Sequence, residues 1–123
     1  MLMLPLLASV AIVVGSWLHI PGGTWEPSGT VVAEAAAQIK VVANRNATAK
    51  GIQLQDWASY TFQYQGRELS GHRILYINAF CSAPPQYANL RFIRVLDGGS
   101  CYFSAYYDPA KKRVIRIVFN GVA

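Results

Sequence analysis

The chain has 123 residues, of which 53% are hydrophobic, with eleven Lys and Arg against six Asp and Glu for a net charge of +5. That length holds one domain rather than two and excludes a large multidomain enzyme. The charge speaks first to solubility and does not by itself identify a nucleic-acid partner.

The charge is unevenly distributed. From Met1 to Trp25 the only titratable side chain is His19, and every Lys, Arg, Asp and Glu follows. Residues 1–20, MLMLPLLASVAIVVGSWLHI, read as a signal peptide or a membrane anchor. Their apolar run lies between the ~7–15 residues of a signal-peptide core and the ~20 of a spanning helix. No Lys or Arg precedes the run, and no A-x-A site follows it directly. Either export reading puts the body outside the cytoplasm: periplasmic, secreted or anchored to the inner membrane. Membrane contact is then expected through residues 1–20 if they stay uncleaved. Residues 21–29, PGGTWEPSG, are linker chemistry.

The domain is expected over residues 30–123. Thr30 is the predicted N-cap, with Glu34 near the positive end of the helix. Val32, Ala35, Ala36, Ile39, Val42 and Ala43 then recur at helical spacing, which predicts an amphipathic helix to about Asn46. From residue 57 the pattern becomes that of strands. Ser59–Gln65 is aromatic and β-favouring, and Gly66–Gly71 is a turn. Arg73–Cys81 alternates, with Leu75, Ile77, Ala79 and Cys81 on one face and Ile74, Tyr76, Asn78 and Phe80 on the other. Residues 82–89 form a loop, and Leu90–Leu96 is expected to be a third strand. Asp97-Gly98-Gly99-Ser100 is a hairpin turn and Cys101–Tyr107 a fourth strand. Asp108–Lys111 is another turn, and Arg113–Phe119 the last strand. The expected fold is α+β: one amphipathic helix on an antiparallel sheet of four to five strands.

This order is similar to the cystatin-like and nuclear-transport-factor-like shapes. The cystatin inhibitory motif Gln-x-Val-x-Gly is absent, since Gln63-Tyr64-Gln65-Gly66 is one residue short, so protease inhibition is not implied. A second resemblance rests on Tyr64-Gln65-Gly66-Arg67, Ile77-Asn78-Ala79-Phe80-Cys81 and Asp97-Gly98-Gly99-Ser100-Cys101-Tyr102-Phe103. It continues in Tyr107-Asp108-Pro109 and Asn120-Gly121-Val122-Ala123. With these the second half resembles a set of small bacterial exported proteins of uncharacterised activity. The resemblance implies location and fold, not chemistry.

No residue set points to catalysis, a cofactor or a metal. His72 is the one histidine of the body, and a base needs a paired partner. Asp97 and Asp108 precede turn residues and are read as bonding local backbone. If the sheet instead encloses a cavity, His72, Asp97 and Asp108 are the polar candidates of a small-ligand carrier or enzyme. Cys81 and Cys101 lack metal-ligand spacing and, in an exported chain, read as a structural disulfide. The candidate binding surface is the face opposite the cysteines: Tyr76, Asn78, Tyr102 and Tyr106, joined by Arg94 and Arg116. Tyr and Arg are enriched at binding hot spots. The expected partner is a protein or an envelope component, and nucleic acid is not expected.

Overall fold

The computed structural model describes residues 16–95 and 99–120. Most of the apolar leader, Leu96-Asp97-Gly98 and the last three residues lie outside them.

The chain enters as a short strand, β1 (Ser16–His19), and crosses over through one helix, α1 (Gly29–Ala49). It continues into β2 (Thr61–Leu69), β3 (His72–Phe80), β4 (Tyr102–Asp108) and β5 (Arg113–Phe119). The sheet order is β1-β2-β3-β4-β5, with β1 parallel to β2 and every other pair antiparallel. The fold is therefore α+β, as expected, on a mixed sheet. The fifth strand is β1, and residues 90–95 of the expected third strand are not in the sheet. Ser16–Ile20, read from the sequence as the end of the leader, belongs to the sheet. Trp17 stacks on Phe62 with ring centroids 4.6 Å apart, and Ile20 is buried.

α1 starts two residues earlier than the Thr30 cap implied. Ser28 is the N-cap, and its hydroxyl accepts the Val31 amide at 3.2 Å. The helix also runs a turn past Asn46. Val32, Ala35, Ile39, Ala43 and Ala47 face the sheet, where small residues let the helix approach closely. Across from them stand Phe62, Leu75, Ile77, Ala79, Phe103 and Ala105, all fully buried. Trp57, Tyr60 and Phe119 close the end of this core around Phe103, with ring centroids 5.3–6.1 Å from it. A fully buried Phe contributes about 1.5–3 kcal/mol, so this aromatic cluster is the main anchor of the helix-facing side.

β2 extends to Leu69, leaving a two-residue turn where the sequence suggested a turn from Gly66. Ser70 and Gly71 have φ of 51° and 80°, the pair of positive values that a type I′ hairpin needs. Gly66 is a strand residue. Its missing side chain is required because Trp25, from the linker, lies against it and would collide with any Cβ. Trp25 Nε1 also donates to Arg67 O at 2.8 Å, which ties the linker down onto β2. The turn after β4 agrees with expectation: the Asp108 carboxylate accepts the amides of Ala110 and Lys111 at 2.9 and 3.1 Å.

Candidate functional site: a strapped sheet face

The sheet face away from α1 is polar although much of it is buried. β2 contributes Gln63, Gln65 and Arg67, and β3 contributes Tyr76 and Asn78. β4 contributes Tyr102, Ser104 and Tyr106, and β5 contributes Arg116. Register pairs Tyr76 with Tyr106, Asn78 with Ser104, and Tyr106 with Arg116. The predicted face therefore exists as a contiguous row.

Residues 90–95 do not add a strand to the sheet. The segment from Ser82 to Val95 instead lies across this face as a strap. Gln63 is fully buried and holds it: Oε1 accepts the Ile93 amide at 2.9 Å, and Nε2 donates to Ala88 O and Arg91 O at 2.7 and 2.8 Å. Asn78 Nδ2 donates to Gln63 Oε1 at 2.9 Å and to Ile93 O at 3.0 Å. At its far end Asn120 Nδ2 donates to Val95 O at 3.1 Å. Three carboxamides, of Gln63, Asn78 and Asn120, thus supply the hydrogen bonds that a neighbouring strand would have supplied. Buried backbone polar groups must find such partners. An apolar-rich segment that lies flat on a sheet has the same composition as a strand, so residues 90–95 read as one from the sequence alone.

The strap is closed covalently at its base. Cys81 and Cys101, 20 positions apart in sequence, form a disulfide with Cα atoms 5.0 Å apart. Cys81 N also donates to Cys101 O at 3.0 Å. Beside the strap, Phe92 packs edge-on to Tyr76 at 5.2 Å, and Tyr76 edge-on to Tyr106 at 5.4 Å. The Arg67 guanidinium lies over Tyr76 at 4.1 Å and Phe92 at 5.0 Å, and Arg116 covers Tyr106 at 5.7 Å. Arg67 is fixed further by donating from Nε to Gln65 Oε1 at 2.9 Å. The result is a ladder in which two contacting rings, Tyr76 and Tyr106, are flanked by the Arg67 and Arg116 guanidinium groups, and each cation gains from a negative ring face.

Of the sequence candidates, Tyr76, Tyr106 and Arg116 are in this ladder. Arg94 is exposed and lines a cleft of about 200 Å³ with Arg67, Tyr76, Phe92 and Asn120. Tyr102 sits farther along the row, its hydroxyl donating to Ser82 Oγ at 3.1 Å. Asn78 is 7% exposed and its amide is engaged by the strap, so it positions the site and does not present itself to a partner. Arg67 and Phe92 were missed. The signal for Arg67 was its even spacing from Gln63 and Gln65 on β2; Phe92 carried none once its segment was taken for a strand. Burial raises the Tyr76 pKa, and Tyr106 adds to the effect against the opposing influence of Arg67 and Arg94. Its phenol keeps its proton and stays a donor at neutral pH.

The other polar candidates do not converge. His72 is exposed at the β2–β3 hairpin, Asp108 is occupied by its turn, and Asp97 lies outside the described residues. The space between α1 and the sheet is filled by Tyr60, Phe62, Phe103 and their neighbours. Among the described residues no helix is long and apolar enough to cross a membrane. In comparisons with protein-family models, curated proteins and solved structures, nothing matches this chain.

Proposed function

We propose that this chain is a small non-enzymatic exported protein that binds a partner, a protein or an envelope component, through the Tyr/Arg sheet face. The observation that carries this reading is the ring–guanidinium ladder of Arg67, Tyr76, Tyr106 and Arg116. It is pre-ordered by stacking and by Gln65, yet Arg116 and neighbouring Arg94 remain open to solvent. Rigid aromatic and Arg side chains lose little entropy on binding, which favours them as anchors. The strap adds Tyr87 and Leu90, 37% and 63% exposed, with Arg91 stacked on Tyr87 at 4.1 Å.

Export is supported by the uncharged apolar leader, by the disulfide and by the resemblance to small bacterial exported proteins. Trp17 stacks on Phe62 and Ile20 is buried, so removal of residues 16–20 with a signal peptide is expected to cost the domain an edge strand. The test is capture from an envelope extract by the purified chain and by a Tyr106→Ala/Arg116→Ala variant of equal stability. The wild type is expected to retain a partner that the variant loses; equal capture, or none, contradicts the proposal. Intact mass with alkylation before and after reduction tests the location, with thiols blocked until reduction as the expected result.

A further inference from the structure

The second solvent-facing feature lies on the opposite side of the molecule, where α1 passes over the open edge of the sheet. Among the described residues β5 is the last strand of the sheet, and its outer backbone groups have no strand partner. At its start a side chain takes that place. The Gln38 carboxamide donates to Lys112 O and accepts the Val114 amide at 3.3 Å, as a neighbouring peptide group would. Just beyond, the ladder shifts register between Tyr106 and Tyr107, and Ile115 is left 45% exposed. The bond from Asn120 N to Tyr102 O sets the alternation farther along. Arg116 and Val118 turn their backbone groups toward β4, while Ile117 turns its groups outward.

Between this edge and α1 runs a groove of about 550 Å³. Its floor is Val42 and Val114, and its lips are Val41, 56% exposed, and Ile115. Arg45 and Arg113 stand at its rim. Among the described residues neither has a carboxylate within 4.0 Å, and the nearby Glu34 is engaged by Lys112 at 3.4 Å and by the Tyr107 hydroxyl at 3.2 Å. The groove therefore offers Val41, Val42, Val114 and Ile115 beside the Gln38 carboxamide, with two arginines at the rim and an open strand edge along one side.

We propose that this groove binds an extended segment of a partner polypeptide in which aliphatic residues alternate with Asp or Glu. Alternation puts the aliphatic side chains of such a strand into the groove and its carboxylates beside Arg45 and Arg113. Its backbone continues along β5 from where Gln38 stops. A second copy of the chain is a poor occupant, because β5 carries Arg113 and Arg116 and no acidic residue to meet the cationic rim. Nucleic acid fits less well, since the floor offers aliphatic groups and no ring for a base to stack on.

The test is fluorescence anisotropy with the purified chain and a labelled peptide of alternating valine and glutamate, with a valine–lysine peptide as control. Amide shift changes confined to residues 37–45 and 113–117 are the expected footprint. Val41→Lys and Arg113→Glu, both at exposed positions, are each expected to weaken binding by about tenfold. Absence of binding overturns the proposal. So does binding that Val41→Lys leaves unchanged, or that Arg94→Glu on the strapped face weakens equally, because either marks a net-charge effect. Loss of the Tyr106/Arg116 capture leaves this result untouched, since the two surfaces share no side chain.

Discussion

The two faces of the sheet are built on different terms. The face under α1 is filled by aromatic and aliphatic side chains and has one role, to hold the helix. The face under the strap is held by Gln63 and Asn78, which are directional groups, and leaves a row of rings and cations at its edge. Hydrophobic contact is tolerant of small shifts, whereas a buried carboxamide fixes both the position and the register of what it holds. A chain that must present a binding surface on a loop gains from the second arrangement, because the loop is kept in one place without being buried.

Changes to the two faces should therefore fail differently. The largest expected effect is on the helix side: Phe103→Ala, at the centre of the aromatic cluster, should cost about 3–5 kcal/mol and lower every unfolding probe together. Replacing Cys81 and Cys101 by Ser removes the closure of the strap and should cost about 3 kcal/mol, by the loop-length dependence of disulfide stabilisation. Denaturant melts of both variants measure these values, and a disulfide cost near zero would mean that the carboxamides hold the strap unaided. Asn78→Ala should cost less, about 1–2 kcal/mol, because Gln63 still carries the other strap bonds.

The largest pH effect belongs to the helix side. The buried Tyr107 hydroxyl donates to Glu34 at 3.2 Å, and burial, then the Glu34 charge, push its pKa from 10.0 up to about 12. The folded state then holds this proton more tightly than the unfolded state, so stability is constant below pH 10 and declines as pH rises toward 12. Glu34→Gln should shrink that decline in an alkaline denaturation series. The smallest expected effect is Arg116→Ala, within about 0.5 kcal/mol of the wild type in stability, while partner capture is weakened.

The helix face was legible in the sequence because its signal is periodic. Val32, Ala35 and Ile39 repeat at helical spacing, and Leu75, Ile77 and Ala79 alternate as a strand does. The same alternation placed Tyr76, Tyr102 and Tyr106 on one face. β1 was not legible, because an apolar strand continuous with an apolar leader has no boundary of composition. The strap was not legible either. Its apolar residues match a strand, and what makes it a loop is the pairing of its backbone with Gln63, thirty positions from Ile93. Gln63 and Gln65 in an otherwise aromatic strand were the available clue, since buried glutamine needs partners that a neighbouring strand does not supply.

Gln63 holds the strapped face together independently of the core. Amide hydrogen exchange on Gln63→Leu tests it most directly. The account predicts that Ile93 loses its protection and the Tyr76–Phe92 contact disappears, while the amides of Ile77 and Ala105 stay protected. An Ile93 amide as slow as in the wild type, or a loss of protection throughout β3 and β4, would contradict it.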